Sequence, residues 1–389
     1  MASTHAQEGG RFLQMGQVQE AVKSFQKGLS IHPDDVDCLL GLVRAYLSTG
    51  AAADAEAAVL RLLKAKPDHT EGQAHLAMLR AQAGDAEALE SLKALAAAPS
   101  AGYFERFNLG SLLFERGDLA GARAAFESVL QIAPGSTHAH FELGRIRFQQ
   151  GQPDGAVSHF LRAAEGAPRE AMPLLMLSRA HAACGQLGLA IQAATQALDK
   201  AQGGLQRAVL EDLFKLYLSG GSAEGARRAA EELRKLEPGS LNYLYLHGLA
   251  MMSAGSFAEA RDLFAEVLRQ APGNWQAQHA LAQMHLALGE RAPALKLLEE
   301  ASATVPTDPG PTNDLAVVLM QDNEHARVPA LLAPVLAAHP NDAGTHLNMA
   351  LGTFPSDKEA SARHAKQALA LGAEEVRAQA EQLLKELGA

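Results

Sequence analysis

The sequence predicts an all-α protein, a solenoid of stacked helical hairpins. Glycine recurs at intervals of 33 to 36 residues, and Asn323 continues the series. In eight of these ten cases a proline follows after seventeen residues, and in eight an alanine follows after five. Such a period indicates a repeat array, in which each repeat packs only against its neighbours. The glycines are Gly16, Gly50, Gly84, Gly117, Gly151, Gly185, Gly221, Gly255 and Gly289.

Each repeat reads as two helices joined by a tight turn. In residues 137–170, the segments "THAHFELGRIRFQQ" and "DGAVSHFLRAAEGA" both space apolar residues three and four apart, which is a helical period. Gly151 ends the first helix where positive φ is needed. Pro153 begins the second helix, and Pro168 separates it from the next repeat.

Two positions are reserved for small side chains because the helices of a hairpin cross there. Gly144 lies seven residues before the turn glycine and Ala156 five residues after it. A large side chain at either position would push the two helix axes further apart than the usual distance of about 8–10 Å. Across the repeats, the only bulky residue at the position of Gly144 is Phe214.

Composition limits the classes of partner and compartment. The net charge is −10, with 44 acidic against 34 basic residues, which argues against nucleic acid. Cys38 and Cys184 lie too far apart along the array to meet, so we expect a reducing, cytoplasmic location. We find no apolar leader and no run of 18 apolar residues, so neither export nor membrane binding is expected.

Signatures of chemistry are missing from the sequence. It contains no phosphate-binding glycine loop, no H-E-x-x-H motif, no cysteine pairs and no nucleophile elbow. His138 and His140 stand two apart on a helix and point to different faces, which disfavours a shared metal. We therefore expect no enzyme, no cofactor and no metal.

The pattern resembles the tetratricopeptide repeat, whose 34-residue signature it shares. The resemblance covers residues 2–372 and implies a right-handed superhelix forming one domain, closed by a capping helix over 373–388 with an apolar stripe. The family's tryptophan at the fourth position is absent. The eleven repeats are 2–35, 36–69, 70–102, 103–136, 137–170, 171–206, 207–240, 241–274, 275–308, 309–342 and 343–372.

Three repeats depart from the pattern. The third has Leu89 and Lys93 where alanine and an apolar residue are expected. The sixth has Gln202 in place of proline and two extra residues, so irregular stacking is one outcome there. The tenth has Pro334 inside its second helix, where proline favours a kink.

The resemblance implies that the protein binds other proteins or peptides in a concave groove lined by the first helices. The family's groove positions are the second, fifth, sixth, ninth, twelfth and thirteenth of a repeat. Five of the thirteen phenylalanines fall at these positions in repeats four and five, and Arg145 and Arg179 share the ninth position in repeats five and six. The candidate partner-binding residues are Phe107, Asn108, Phe114, Phe141, Arg145, Phe148 and Arg179.

These residues also allow simpler interpretations. Phe107 and Phe141 are equally compatible with filling the seam between neighbouring first helices. Arg145 and Arg179 are compatible with gripping an acidic group of the partner or with ordinary solvated arginines, the first paired with Glu142.

Known binding modes of the family do not carry over. Adaptors of heat-shock chaperones hold a terminal carboxylate with lysine, asparagine and arginine at set groove positions, of which only Asn108 matches here. An asparagine ladder is limited to Asn108 and Asn348. The sequence favours an interaction scaffold; a regulatory or targeting subunit of an enzyme complex, and a structural subunit of a secretion or envelope assembly, are the alternatives.

Overall fold

The structure is a computed structural model that describes residues 2–388, with the side chains of residues 4–388. The described chain is all helical and has no strand. Its internal contacts divide it into two compact bodies, Met1–Ala201 and Gln202–Ala389. We call these the first body and the second body.

The first body consists of six helical hairpins built from twelve helices. Their bounds are α1 Ala2–Gln14, α2 Val18–Ile31, α3 Val36–Ser48, α4 Ala52–Ala65, α5 Thr70–Gln82, α6 Ala86–Ala97, α7 Tyr103–Glu115, α8 Leu119–Ile132, α9 Thr137–Gln149, α10 Pro153–Gly166, α11 Ala171–Ala183 and α12 Leu187–Leu198.

The second body consists of five hairpins and a last single helix. Its helices are α13 Gly203–Ser219, α14 Ala223–Leu236, α15 Leu241–Ser253, α16 Phe257–Gln270, α17 Trp275–Ala287, α18 Arg291–Thr304, α19 Pro309–Gln321, α20 Val328–Ala338, α21 Ala343–Thr353, α22 Lys358–Leu371 and α23 Glu374–Leu387. A 3₁₀ turn, His325–Arg327, precedes α20.

The turn inside each hairpin has the geometry that the sequence predicts. The nine periodic glycines have φ between +68° and +100°, and Asn323 has φ +60°. At Gly151 the turn closes with two backbone bonds, from Gly151 N–H to the Phe148 carbonyl (3.0 Å) and from Gln152 N–H to the Arg147 carbonyl (2.9 Å). These bonds satisfy carbonyls at the end of the first helix.

A close glycine–phenylalanine contact holds the two helices of several hairpins together. A Cβ at Gly144 would lie 2.7 Å from the Phe160 ring, and one at Gly110 would lie 2.8 Å from the Phe126 ring. Phe160, Phe126 and Ala156 are fully buried. The small positions predicted from the sequence therefore receive the ring of the second helix.

The third hairpin accommodates its unusual residues by a different helix phase. On α6 the buried residues are Ala88 and Leu92, each one position before Leu89 and Lys93. Lys93 faces solvent and pairs with Glu90 (2.8 Å). The helix is thus rotated so that its apolar side still meets α5.

The other two irregular repeats also differ in their helices. α13 begins at Gly203, which has φ +57°, and runs for 17 residues. In the tenth repeat, the 3₁₀ turn shortens the second helix to the 11 residues of α20, which contains Pro334.

Candidate functional site

The first helices α7, α9 and α11 of the first body carry the candidate residues. All five phenylalanines at groove positions on α7 and α9 are half-buried, so each ring is held by packing and keeps part of its surface in solvent. On α11, Met172 is 42% exposed. We call the groove-position side chains of these three helices the α7–α11 surface.

Phe107 lies at the centre of an aromatic cluster. Its ring stacks on Tyr103 at 5.5 Å with an interplanar angle of 9°. It meets the buried Phe126 edge-on at 5.2 Å and His138 of α9 at 6.3 Å. These offset-stacked and edge-on contacts are favourable arrangements of aromatic rings. Phe107 therefore belongs partly to the seam and partly to the surface.

Arg145 joins α9 to α7 through a stacked guanidinium. Its Cζ lies 4.5 Å from the centre of the Phe114 ring, a cation–π contact. The same guanidinium donates from Nη1 to both carboxylate oxygens of Glu142, at 3.1 Å and 2.8 Å. Burial raises the pKa of Glu142 despite the charge of Arg145. Arg145 is thus oriented by two partners while 40% of its side chain stays exposed.

The remaining candidates lie along the same helices. Phe141 packs against the buried Phe160 at 5.8 Å, and Phe148 is half-buried near the end of α9. Arg179 is exposed on α11. The structure therefore brings Phe114 and Arg145 into contact, and the other candidate residues lie elsewhere on α7, α9 and α11.

Asn108 has a supporting position rather than an exposed one. It is 5% exposed, and its amide lies 3.1 Å from His75 Nδ1 on α5. His75 Nε2 lies 3.4 Å from Glu71, which accepts from Arg44 at 2.7 Å. Because its side chain is buried and engaged, Asn108 supports the surface from below.

The sequence did not predict this series of hydrogen bonds or the aromatic ring that packs on Arg44. Arg44 of α3 stacks over the Phe104 ring of α7 at 4.5 Å, reaching past α5. The position of Arg44 at the ninth residue of its repeat is the one signal that marks it as a groove residue. On α5 itself, the groove-position residues Ala74, His75 and Met78 are buried, so this helix contributes little exposed surface beside α7.

A cleft of about 790 Å³ adjoins one end of the surface. It lies between two consecutive inter-repeat turns, residues 133–138 and 166–170, and Tyr103 forms part of its wall. Arg169 and Glu170 are exposed at its rim. Tyr103 and His138 of the aromatic cluster therefore also line this cleft.

In the second body, the first helices of three consecutive hairpins carry hydrogen-bonded polar side chains. His279 Nε2 lies 2.8 Å from Asp314, which also accepts from Gln283 at 2.9 Å. Burial acts to raise the pKa of Asp314, but these hydrogen bonds hold it below its ordinary value. Further along, Asn348 donates to Asn313 (2.9 Å). These side chains satisfy one another.

Within residues 4–388, His, Cys, Asp and Glu form no group of three or more that could hold a metal ion. None of the described helices is long and apolar enough to cross a membrane. Cys38 and Cys184 are not joined by a disulfide.

Comparison with solved structures shows the fold. Yeast Tom70 aligns over 100% of this chain and 95% of its own, with 14% identity and a TM-score of 0.50. The human IFIT1 dimer with PPP-AAAA aligns over 78% of this chain and 72% of its own, with 18% identity and a TM-score of 0.51. No curated protein matches the sequence.

Family models match most of the repeats. One tetratricopeptide repeat model matches residues 12–83, 113–175 and 251–310, and a second matches residues 74–137 and 211–275. Together with the period, the left-handed turn residues and the helical hairpins, these matches establish the relationship. The chain belongs to the tetratricopeptide repeat family.

Proposed function

We propose that the protein is a non-enzymatic interaction scaffold that binds a segment of a partner protein on the α7–α11 surface. The tetratricopeptide repeat fold is itself that of a protein-interaction scaffold. Repeat arrays present extended faces on which several consecutive repeats can contact one ligand. The observation that carries the proposal is the group of half-buried phenylalanines on α7 and α9.

The apolar part of the surface supplies anchors. Five of the thirteen phenylalanines of the chain stand at groove positions of two adjacent repeats. Clustered, partly exposed aromatic rings favour partner binding, because burying them removes apolar area from water and orders few rotatable bonds. Met172 extends the apolar surface onto α11 with an adaptable side chain.

The polar part of the surface favours an acidic group on the partner. Arg145 is held over the Phe114 ring, so little conformational freedom is lost when its guanidinium donates hydrogen bonds to a partner carboxylate. Glu142 already occupies its Nη1, so a partner carboxylate would approach the remaining donors of the guanidinium. Arg179, one repeat further along, offers a second cation in register.

Site-specific photocrosslinking tests this proposal in the native cell. A photoreactive phenylalanine analogue at Phe148 reports on the α7–α11 surface. The matched control is the same analogue at Leu161, a 46% exposed residue of α10 in the same repeat. We expect one protein to crosslink at Phe148 and not at Leu161. Equal crosslinking at both positions, or at Leu161 alone, contradicts the proposed surface.

A further inference from the structure

Two histidine pairs with the same geometry occur in repeats five and eleven. In repeat five, Nδ1 of His140 on α9 lies 3.1 Å from Nδ1 of His159 on α10. In repeat eleven, Nδ1 of His346 on α21 lies 3.0 Å from Nδ1 of His364 on α22. Each pair joins the two helices of one hairpin, and the first member of each is 8% exposed.

The ring orientation shows a hydrogen bond rather than a shared metal. The ring centres are 5.4 Å apart in the first pair and 5.3 Å in the second. Since the nitrogens are closer by about two ring radii, they lie near the line that joins the ring centres. A common metal ion would require the two lone pairs to converge away from that line.

A backbone carbonyl fixes where the protons are. His140 Nε2 donates to the Pro134 carbonyl at 3.0 Å, and His346 Nε2 donates to the Pro340 carbonyl at 3.0 Å. The neutral first histidine therefore has a bare Nδ1, which accepts from the Nδ1–H of the second histidine. Each pair thus connects the preceding turn, the first helix and the second helix.

We propose that these two pairs are acid-sensitive latches, which hold the helices of repeats five and eleven together until both rings become cationic. A proton on His140 Nδ1 would point directly at the Nδ1–H of His159. Two positive rings whose nitrogens lie about 3 Å apart also repel strongly in a partly buried site. The histidine pair therefore binds protons more weakly in the closed hairpin than in an open one.

Burial and the neighbouring charges also disfavour protonation of the second histidine in each pair. Burial lowers the pKa of His159 to about 4, and His140 and Arg147 on α9 and Arg162 on α10 add repulsion. Burial also lowers the pKa of His364, with repulsion from His346 and Arg363. None of these neighbouring groups is a carboxylate that could stabilise a cation.

The sign of the pH effect follows from these lowered pKa values. An open hairpin leaves His159 or His364 near the ordinary histidine pKa of about 6.5. Between that value and about 4, the open form binds more protons than the closed form. In repeat five the stabilising effect of the latch is complete above about pH 6.5 and is lost as the pH falls toward 4. In repeat eleven the lowered pKa of His364 gives an effect of the same sign.

Two other repeats supply a natural control. Gln73 and Gln278 occupy the same fourth position and donate to the carbonyls of Pro67 (2.8 Å) and Pro272 (3.1 Å). Glutamine therefore makes the inter-repeat bond without titrating. His140→Gln and His346→Gln should keep each hairpin closed at neutral pH while removing one titrating ring from each pair.

Hydrogen–deuterium exchange on the full chain tests the latch without any partner. We expect protection of α9–α10 and α21–α22 in the wild type, corrected for intrinsic rates, to fall by about tenfold or more between pH 7 and pH 5. The double glutamine variant should show a smaller fall, because the repulsion within each pair is gone and burial alone still lowers the pKa values of His159 and His364. Exchange in α17–α18, which contain Gln278, should change equally in both proteins.

Equal pH dependence in the wild type and the variant would overturn the proposal. A variant that fails to fold leaves a second test in the wild type, namely titration of the imidazole nitrogens by NMR. Separate titration of His140 and His159 near pH 6.5 in the folded protein would also overturn it. Because α9 carries Phe141 and Arg145, opening of repeat five would weaken partner binding, a consequence that rests on the proposed function.

Discussion

Phe214 on α13 and Ala230 on α14 exchange the side-chain sizes that Gly144 and Phe160 have in repeat five. The positions are equivalent: the first of each pair is the eighth residue of its repeat and the second is the twenty-fourth. Phe214 is 2% exposed, Ala230 is fully buried, and both belong to one apolar cluster. The ring fills the crossing point from the first helix in one repeat and from the second helix in the other.

This exchange predicts that the two sizes are coupled. Ala230→Phe alone should destabilise by about 1–3 kcal/mol, because two rings cannot share the crossing point. Phe214→Gly alone should cost about 3–5 kcal/mol through the cavity that it leaves. The double variant should lose less than the sum of the two in thermal unfolding followed by circular dichroism. Additive losses would show that the two side chains do not share one space.

In repeat five the crossing point predicts a strong effect of added volume. Gly144→Leu or Ala156→Leu should destabilise by about 1–3 kcal/mol or more, since a Cβ at Gly144 alone would lie 2.7 Å from Phe160. Gly135→Ala is the control, because a Cβ there meets nothing within 4 Å. Melting temperatures of both leucine variants within a degree of wild type would refute this packing.

The last helix should be required for a stable end of the array. Leu383 and Leu384 of α23 are 4% and 8% exposed and pack in one cluster with Ala350 and Ala365. Truncation after Gly372 should expose this apolar surface and cause aggregation or fraying, seen by light scattering and thermal melts. A monodisperse truncated chain with unchanged melting temperature would mean that α23 covers nothing essential.

The hairpins, their turns and their crossing points could be predicted because each depends on residues close in sequence. A turn needs positive φ at one position, and glycine or asparagine there is visible in the sequence. The phase of α6 could not be predicted from the spacing. A shift of one residue turns the buried side of a helix by about 100°, and only the packing on α5 shows that Ala88 and Leu92 face inward.

The sequence predicts which residues the candidate site contains better than it predicts the contacts between them. The concentration of phenylalanines on α7 and α9 is visible in the sequence, and the structure leaves these residues half-buried. The burial of Asn108 against His75 and the stacking of Arg44 over Phe104 connect residues 33 and 60 positions apart. Such contacts depend on how far side chains reach between helices, which spacing within one repeat does not determine.

The central claim, that a partner binds on the α7–α11 surface, is tested most directly by the affinity of the crosslinked partner for matched variants. Arg145→Glu with Arg179→Glu should weaken binding at least about tenfold, since charge-assisted bonds to arginine contribute roughly 1.5–3 kcal/mol. Phe114→Ser alone should also weaken it, whereas Arg269→Glu, on the second helix α16, should not. Helical circular dichroism should stay unchanged in all variants. Unchanged affinity in both the double arginine variant and Phe114→Ser would contradict the account and direct the search to Tyr245 and Met252 of α15.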